Sequence, residues 1–266
     1  MALTRTVGQL TVTALQDAEG PLGTPRQDCF PGATAEQWAA ADEFDPAARG
    51  AGGEWWLRYR SYAIRHGDGP VTLVDAGIGP EDSLAADWAP VPGRLPGELA
   101  EAGIDPAEVT TIVLTHLHND HMGWAVPRDS PFTQARVIVQ QADVDAYRAN
   151  RDQAGQFDLL IEPLWAQGRL QVLDGDHKLS PGVRIVATPG HTPGHQTVLV
   201  EDGDDTLLVT GDLLVHAIQL LHPELAYAGD MDPERARASR ARALAEAAER
   251  GITLAISHLG TAFHNA

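Results

Sequence analysis

The stretch THLHNDH, residues 115–121, directly follows a short apolar run and carries most of the information in this sequence. In an extended segment, side chains two positions apart face the same way, so His116 and His118 can bind one metal ion together. Asp120 and His121 come where the chain turns, and they can project towards a neighbouring site. Because the chain has only 11 histidines, four potential ligands within six residues are hard to obtain by composition. The stretch therefore predicts two metal ions close together at the end of a strand.

Three further segments place a potential ligand directly after a short β-rich run. The candidates are His191, Asp212 and His258, at the ends of the runs ATPGH, VTGD and AISH. Ligands gather at such strand ends in α/β proteins. Taken singly, these residues also have structural explanations: a turn histidine, an aspartate that caps the next segment and a surface histidine. Together with the first cluster, they are expected to complete a two-metal site.

Composition limits the partners of this chain. Its 266 residues include 37 acidic and 19 basic side chains, and the formal charge of −18 repels phosphate backbones and anionic membranes. We therefore expect a small-molecule substrate, with neither nucleic acid nor a membrane as partner. The chain also lacks the run of about 18 apolar residues that a transmembrane helix needs. Its single cysteine, Cys29, fits a reducing compartment, so a cytoplasmic location is expected.

Short β-rich runs alternate with helical segments, which predicts an α/β protein with packed sheets and helices outside them. The strongest helix prediction is Pro233–Arg250, with Asp232 as its N-cap and Gly251 just past its end. No Ser/Gly linker divides the chain, so residues 1–266 are predicted to form a single domain. The stretch 19–54, rich in Gly, Pro and Ala, is expected to be an irregular lid or a dimerisation arm. The second alternative implies a homodimer.

The ordered motifs resemble those of the metallo-β-lactamase-fold superfamily, whose His-X-His-X-Asp-His motif is present at His116–His121. The resemblance extends from about residue 56 to His258 and implies a four-layer αββα sandwich, with the metals at one edge between the sheets. It also implies that Asp212 bridges two metals. The first metal would be bound by His116, His118 and His191, and the second by Asp120, His121 and His258. Asp75 and His195 are expected to support the ligands rather than bind metal themselves.

A site of this kind predicts hydrolysis, because two divalent ions can hold a bridging hydroxide that attacks the substrate. Imidazole and carboxylate ligands favour zinc, with iron, manganese or cobalt as alternatives. Asp120 is the candidate catalytic residue, since its position suits it to orient the hydroxide or to return a proton to the leaving group. Two alternatives stay open: a mononuclear iron oxidoreductase similar to the persulfide dioxygenases, and a non-enzymatic metal-binding member of the fold.

Within the superfamily, the segments around His191 and Asp212 are similar to the lactonase and methyl-parathion-hydrolase-like branch. Asp212 stands where class B1 β-lactamases have a cysteine, and only eight residues follow His258, so β-lactamase and glyoxalase II activities are disfavoured. The branch implies a lactone, ester or organophosphate-type substrate. Acyl-homoserine lactone is a weaker expectation, because the lactonases that cleave it have a tyrosine three positions after the bridging aspartate, where this chain has Val215. The substrate pocket is expected to include Trp38, Trp124, His216 and Ile218.

Overall fold

The computed structural model describes residues 2–126, 130–149 and 154–265. In these residues, seven strands form a first sheet in the order of the chain. Its first four strands pair antiparallel, and its last four pair parallel. The strands of this sheet are β1 (Leu3–Val7), β2 (Leu10–Pro21), β3 (Trp56–His66), β4 (Val71–Val74), β5 (Val109–Val113), β6 (Arg136–Gln140) and β7 (Leu170–Leu173).

The second sheet has six described strands, and they too lie side by side in the order of the chain. All its neighbours pair antiparallel except β11 and β12, which are parallel. The strands are β8 (His177–Ser180), β9 (Val183–Ala187), β10 (Gln196–Asp202), β11 (Asp205–Val209), β12 (Thr253–Ala255) and β13 (Phe263–Asn265).

Alternation along the strands explains why the two sheets pack face to face. Val198 and Val200 of β10 belong to the apolar cluster between the sheets, with Val74 and Val113 of the first sheet. Leu199, between those two valines, belongs instead to the cluster on the outer face of the second sheet. Side chains two apart share a face of a strand, so each sheet has one face in the central core and one face for helices.

Helices cover both outer faces. Leu95, Leu99 and Val144 come from helices packed on the first sheet, and Ala247 comes from the long helix packed on the second. The expected four-layer αββα sandwich is therefore confirmed. The helices are α1 (Arg26–Cys29), α2 (Ala35–Phe44), α3 (Leu95–Glu101), α4 (Asn119–Met122), α5 (Gln141–Ala149), α6 (Ala154–Ala166), α7 (Ala217–Leu221) and α8 (Pro233–Arg250).

The long helix α8 begins and ends where the sequence predicts. The side chain of Asp232 accepts a hydrogen bond from the backbone N–H of Arg235 and caps the first turn. Gly251 ends the helix in the left-handed conformation, at φ 65°. None of the described helices is long and apolar enough to cross a membrane.

The stretch 19–54 is more ordered than the sequence suggests. Its central part forms α2, which starts with a capping box between Thr34 and Gln37. Phe30 and Trp38 are buried, and they belong to one apolar cluster with Val215 and Ile218. The stretch therefore packs on its own chain, against the segment between β11 and the end of α7.

Candidate metal centre

The seven candidate ligands come together at one edge of the sandwich. They follow β5, β9, β11 and β12, and they form two groups of potential metal-binding side chains. The first group contains His116, His118, His191 and Asp212, and the second contains Asp120, His121 and His258. Because these ligands follow strands of both sheets, the edge brings together residues that are far apart in the sequence.

The first group converges on a nitrogen of His118. The Nδ1 atom of His118 lies 2.9 Å from Nε2 of His116 and 3.1 Å from Nε2 of His191. The Oδ2 atom of Asp212 lies 3.3 Å from Nε2 of His191 and 3.8 Å from Nε2 of His116. Three imidazole nitrogens and one carboxylate oxygen thus surround a common point.

The second group lies on the other side of Asp212. The Nε2 atoms of His121 and His258 are 3.3 Å apart. The Oδ2 atom of Asp120 lies 3.4 Å from Nε2 of His121. The second carboxylate oxygen of Asp212, Oδ1, lies 3.2 Å from Nε2 of His121 and 3.0 Å from Nε2 of His258. The two oxygens of Asp212 therefore face different groups, as a bridging ligand requires.

One buried carboxylate, Asp75, orients histidines of both groups. Its Oδ2 accepts hydrogen bonds from Nδ1 of His121 at 2.8 Å and from the Thr115 hydroxyl at 2.9 Å. Because that hydroxyl donates to Asp75, its oxygen accepts from Nδ1 of His116, at 3.1 Å. Both rings carry their proton on Nδ1 and present a lone pair at Nε2. The expected supporting role of Asp75 matches this geometry.

His191 and His258, which also face the centre through Nε2, are oriented in the same way by hydrogen bonds at Nδ1. Nδ1 of His191 lies 3.1 Å from Oδ1 of Asp230, and Nδ1 of His258 lies 2.7 Å from the backbone oxygen of Arg58. The buried guanidinium of Arg60 donates to the Gly260 carbonyl at 2.8 Å and fixes the loop that carries His258. Since an oxygen acceptor takes the Nδ1 proton in each case, these rings also turn a lone pair towards the centre.

These contacts fit divalent metal ions. Ring nitrogens of His116, His118 and His191 approach one another at 2.9 and 3.1 Å, around one common point. The Oδ1 atom of Asp212 is buried and has no hydrogen-bond partner in the described part of the chain. Neutral imidazoles and carboxylates in this arrangement are the ligand set of a cation with nitrogen and oxygen ligands.

Electrostatics supports the same conclusion. Burial by itself would raise the pKa of Asp212, but the neighbouring imidazoles of His258 and His121 hold it well below its usual range. Burial by itself would lower the pKa of His121, but the carboxylates of Asp212, Asp120 and Asp75 raise it well above its usual value. The buried carboxylates thus require compensating positive charge; protons on these histidines supply it in the metal-free chain, and bound cations would displace those protons.

His195 supports the centre without belonging to either group. Its Nε2 accepts a hydrogen bond from the backbone N–H of Asp212 at 3.1 Å, and its Nδ1 lies 2.9 Å from the Thr188 hydroxyl. Burial, and then the neighbouring charge of His191, lower the pKa of His195 to about 3. The ring therefore stays neutral, and its lone pair holds the backbone of Asp212 in place.

A cavity of about 260 Å³ opens beside the two groups. His118, Asp120, His191, Asp212 and His258 form its polar floor. Its apolar walls come from distant parts of the chain. The wall residues include Leu22, Trp55, Leu57, Trp88, Val215 and Tyr227.

The four residues predicted for the pocket do not line this cavity. Trp38 and His216 are buried, and their rings lie 5.3 Å apart in an edge-on contact. Ile218 is fully buried in the same cluster. Trp124 donates its ring N–H to Oδ1 of Asp17 at 3.1 Å. Trp38 and Ile218 belong to one apolar cluster with Trp55, and the ring of His216 contacts that of Trp55 at 5.2 Å, so these three residues lie behind the cavity wall and do not contact the cavity.

Several functional residues have no signal in the motifs. Asp230, which orients His191, lies on an irregular loop 39 positions away from it. Trp55 reaches the cavity from the position just after the stretch 19–54, and Tyr227 reaches it from the loop before α8. Isolated aromatic and acidic residues in loops are common, so only the folded chain reveals these contacts.

Comparison with known proteins identifies the family. The family model for the metallo-beta-lactamase superfamily matches residues 55–258, which include all seven candidate ligands. The chain belongs to the metallo-beta-lactamase superfamily. The resemblance expected from the motifs is therefore confirmed.

Several relatives of this superfamily member are lactonases by name. An N-acyl homoserine lactonase of Bacillus thuringiensis is 30% identical over 147 residues, which are 55% of this chain and 54% of that protein. One from Bacillus cereus is 27% identical over 192 residues, or 67% of this chain and 72% of that protein. Among the first of these relatives, the match spans about half of their length or less, from 39% to 54%.

Solved structures share the fold over nearly the whole chain. The hydrolase AbOPH superimposes with a TM-score of 0.82 at 23% identity, covering 99% of this chain and 92% of that one. AidC, a dizinc quorum-quenching lactonase in complex with a product, gives a TM-score of 0.79 at 22% identity, covering 100% and 96%. At this level of identity, the likeness establishes the shared architecture.

Proposed function

We propose that this chain is a dinuclear metal-dependent hydrolase that opens lactones, with esters and organophosphates as the related substrate classes. The observation that carries the proposal is the position of Asp212, whose two carboxylate oxygens face different groups of ligands. A single metal would need only one of these groups. A carboxylate between two complete groups is the arrangement of a two-metal hydrolase.

The first ion would be held by His116, His118 and His191, and the second by Asp120, His121 and His258, with Asp212 shared. Zinc suits five imidazoles and two carboxylates, although iron, manganese and cobalt bind similar sets. When bound, such a pair of ions polarises the electrophilic oxygen of a substrate and lowers the pKa of water towards neutrality.

The side chains of the cavity would orient the substrate and transfer a proton to the leaving group. The side chain of Asp120 lies in the floor of the cavity, 3.4 Å from Nε2 of His121. In our proposal it orients the attacking water and returns a proton to the leaving group. Leu57, Trp88 and Val215 form an apolar wall, which excludes water and favours uncharged substrates.

Lactones are placed first because the relatives named above are N-acyl homoserine lactonases. An uncharged ester or lactone also suits a chain of formal charge −18, which repels anionic substrates. A cytoplasmic location stays part of the proposal, and the free, buried Cys29 supports it. A homodimer through the stretch 19–54 is likewise a proposal, supported by the 47% exposed Phe44 at the end of α2.

The proposal is tested by metal analysis together with turnover of N-hexanoyl-homoserine lactone, p-nitrophenyl butyrate and paraoxon. We expect close to two ions per chain and lactone opening that is lost with a chelator and restored by zinc. His118→Ala should lower kcat/KM by at least about 100-fold, because it removes the ligand at the centre of the first group. His66→Ala, a matched control at an exposed histidine, should retain wild-type turnover.

Equal hydrolysis by the metal-free and metal-loaded proteins would refute the mechanism. One iron per chain, with oxygen consumed alongside a thiol substrate, would favour the mononuclear oxidoreductase instead. That alternative leaves Asp120, His121 and His258 without a function, although the structure brings them together. A metal-loaded protein that is inactive on all three substrates would favour a non-enzymatic metal-binding protein.

A further inference from the structure

Tyr227 places a phenol beside the candidate metal ligands. It lies on the loop between α7 and α8 and lines the cavity with Asp120 and Asp212. Its ring stacks on that of His191, with centroids 6.0 Å apart and planes at 21°. The ring of Tyr227 therefore contacts a candidate metal ligand at the cavity.

The ring of Tyr227 is fixed on several sides. Phe30 and Trp55 contact it at centroid distances of 5.4 and 6.0 Å. Gly229 lies so close that a Cβ atom there would be 2.5 Å from the Cε1 atom of Tyr227. Packing of this kind leaves the side chain little freedom to rotate, so the hydroxyl is held in one place.

The loop that carries Tyr227 is bonded to the candidate metal centre. The backbone N–H of Tyr227 lies 3.3 Å from Oδ2 of Asp230, and the other oxygen of this carboxylate holds His191. The N–H of Met231 donates to the backbone oxygen of His191 at 3.0 Å. The position of the phenol is thus tied to the position of a candidate ligand.

The hydroxyl of Tyr227 is available to a ligand. Tyr62 and Tyr147 donate their hydroxyls to backbone carbonyls, and Tyr59 is 1% exposed and does not line the cavity. Within the described ranges, the hydrogen bonds of Tyr227 are made by its backbone. A phenol keeps its proton at neutral pH, so the group acts as a donor.

We propose that the Tyr227 hydroxyl donates a hydrogen bond to the substrate oxygen that becomes negative in the transition state. This inference rests on the proposed hydrolase function. A preorganised donor at a developing oxyanion stabilises the transition state more than the ground state, so it raises kcat.

The test compares wild type, Tyr227→Phe, Gly229→Ala and the double variant on N-hexanoyl-homoserine lactone. Tyr227→Phe removes only the oxygen and should lower kcat about 10- to 100-fold with little change in KM. Gly229→Ala keeps the hydroxyl but displaces its ring, and it should lower kcat to a smaller extent. When Gly229→Ala is added to Tyr227→Phe, the extra methyl should have little further effect, because the hydroxyl that it would displace is already absent.

Two further readouts separate this role from a structural one. Metal content and the thermal midpoint of Tyr227→Phe should match wild type, and a phosphonate analogue of the tetrahedral intermediate should bind about 10- to 100-fold more weakly. An active wild type with a Tyr227→Phe variant within twofold in kcat would overturn the inference and leave the proposed function intact. A wild type that opens no lactone, ester or phosphotriester would overturn both.

Discussion

Asp230 gives the sharpest test of how the loop before α8 supports the metal centre. Its Oδ1 lies 3.1 Å from Nδ1 of His191, and its Oδ2 lies 3.3 Å from the backbone N–H of Tyr227. Asp230 is only 7% exposed, so water does not readily replace the carboxylate. Asp230→Ala therefore leaves two donors without an acceptor.

The expected cost follows from these two contacts. An unsatisfied buried donor costs about 1–3 kcal/mol, so the two donors together should cost roughly 2–6 kcal/mol in the free energy of unfolding. For a chain of this length that lowers the thermal midpoint by roughly 4–24 °C. Removing the partner that orients a histidine ligand also weakens metal binding by about 10- to 100-fold. The loss should affect the first group, which contains His191.

The assay is zinc titration against a fluorescent chelator, together with thermal unfolding of the metal-free protein. Asp232→Ala is a matched control, because this residue lies in the same loop and its side chain caps α8 through the N–H of Arg235. It should cost about 1 kcal/mol and leave metal affinity unchanged. Equal metal affinities of Asp230→Ala and wild type would refute the assigned role of Asp230.

Two further changes test the packing around the centre. Gly190→Ala should lower the free energy of unfolding by roughly 3–5 kcal/mol, because Gly190 has φ 141° and a Cβ there would be 2.1 Å from the backbone nitrogen of Ala236. The control Gly203→Ala, at φ 63° with open space around it, should lower it by about 1–2 kcal/mol. Equal urea midpoints of the two variants would contradict this prediction. Burial, and then the charge of Arg26, lower the pKa of His216 to about 3, so its contribution to stability is present above pH 6.5 and is lost as the pH falls towards 3. The difference in unfolding free energy between wild type and His216→Phe should therefore shift by about 2 kcal/mol against wild type between pH 7 and 5. A difference that stays constant with pH would show that His216 titrates normally.

The candidate ligands were predictable because their geometry is local. His116 and His118 follow a buried strand at a spacing of two, and the pleat of an extended chain places them on one side. His191, Asp212 and His258 each follow a strand as well. The edge of a layered α/β protein then brings these loops together.

The cavity walls were not predictable in the same way. Trp38 and His216 have the chemistry of pocket residues, but they are buried against each other. Trp88 and Tyr227 reach the cavity through loops whose paths depend on tertiary packing. Hydrophobicity predicts which residues are buried, but it does not distinguish residues of the core from residues that line a cavity.

Local signals also explain which elements could have been found. The sequence TAEQ at 34–37 is a capping box, and it marks the start of α2 within a stretch expected to be irregular. Strand β1, by contrast, is exposed at four of its five positions, and no apolar alternation marks it. Its pairing with β2 stabilises it, which the isolated segment does not reveal.

Asp75 links the two halves of the centre through one side chain. It holds Thr115, and through it His116 of the first group, while the same carboxylate holds His121 of the second. If the segment that carries His116 or His121 shifts, the Asp75 carboxylate shifts with it and the other histidine loses its fixed position. The consequence is cooperativity: both ions should leave together during chelation, in a single transition, because vacating one position loosens the other.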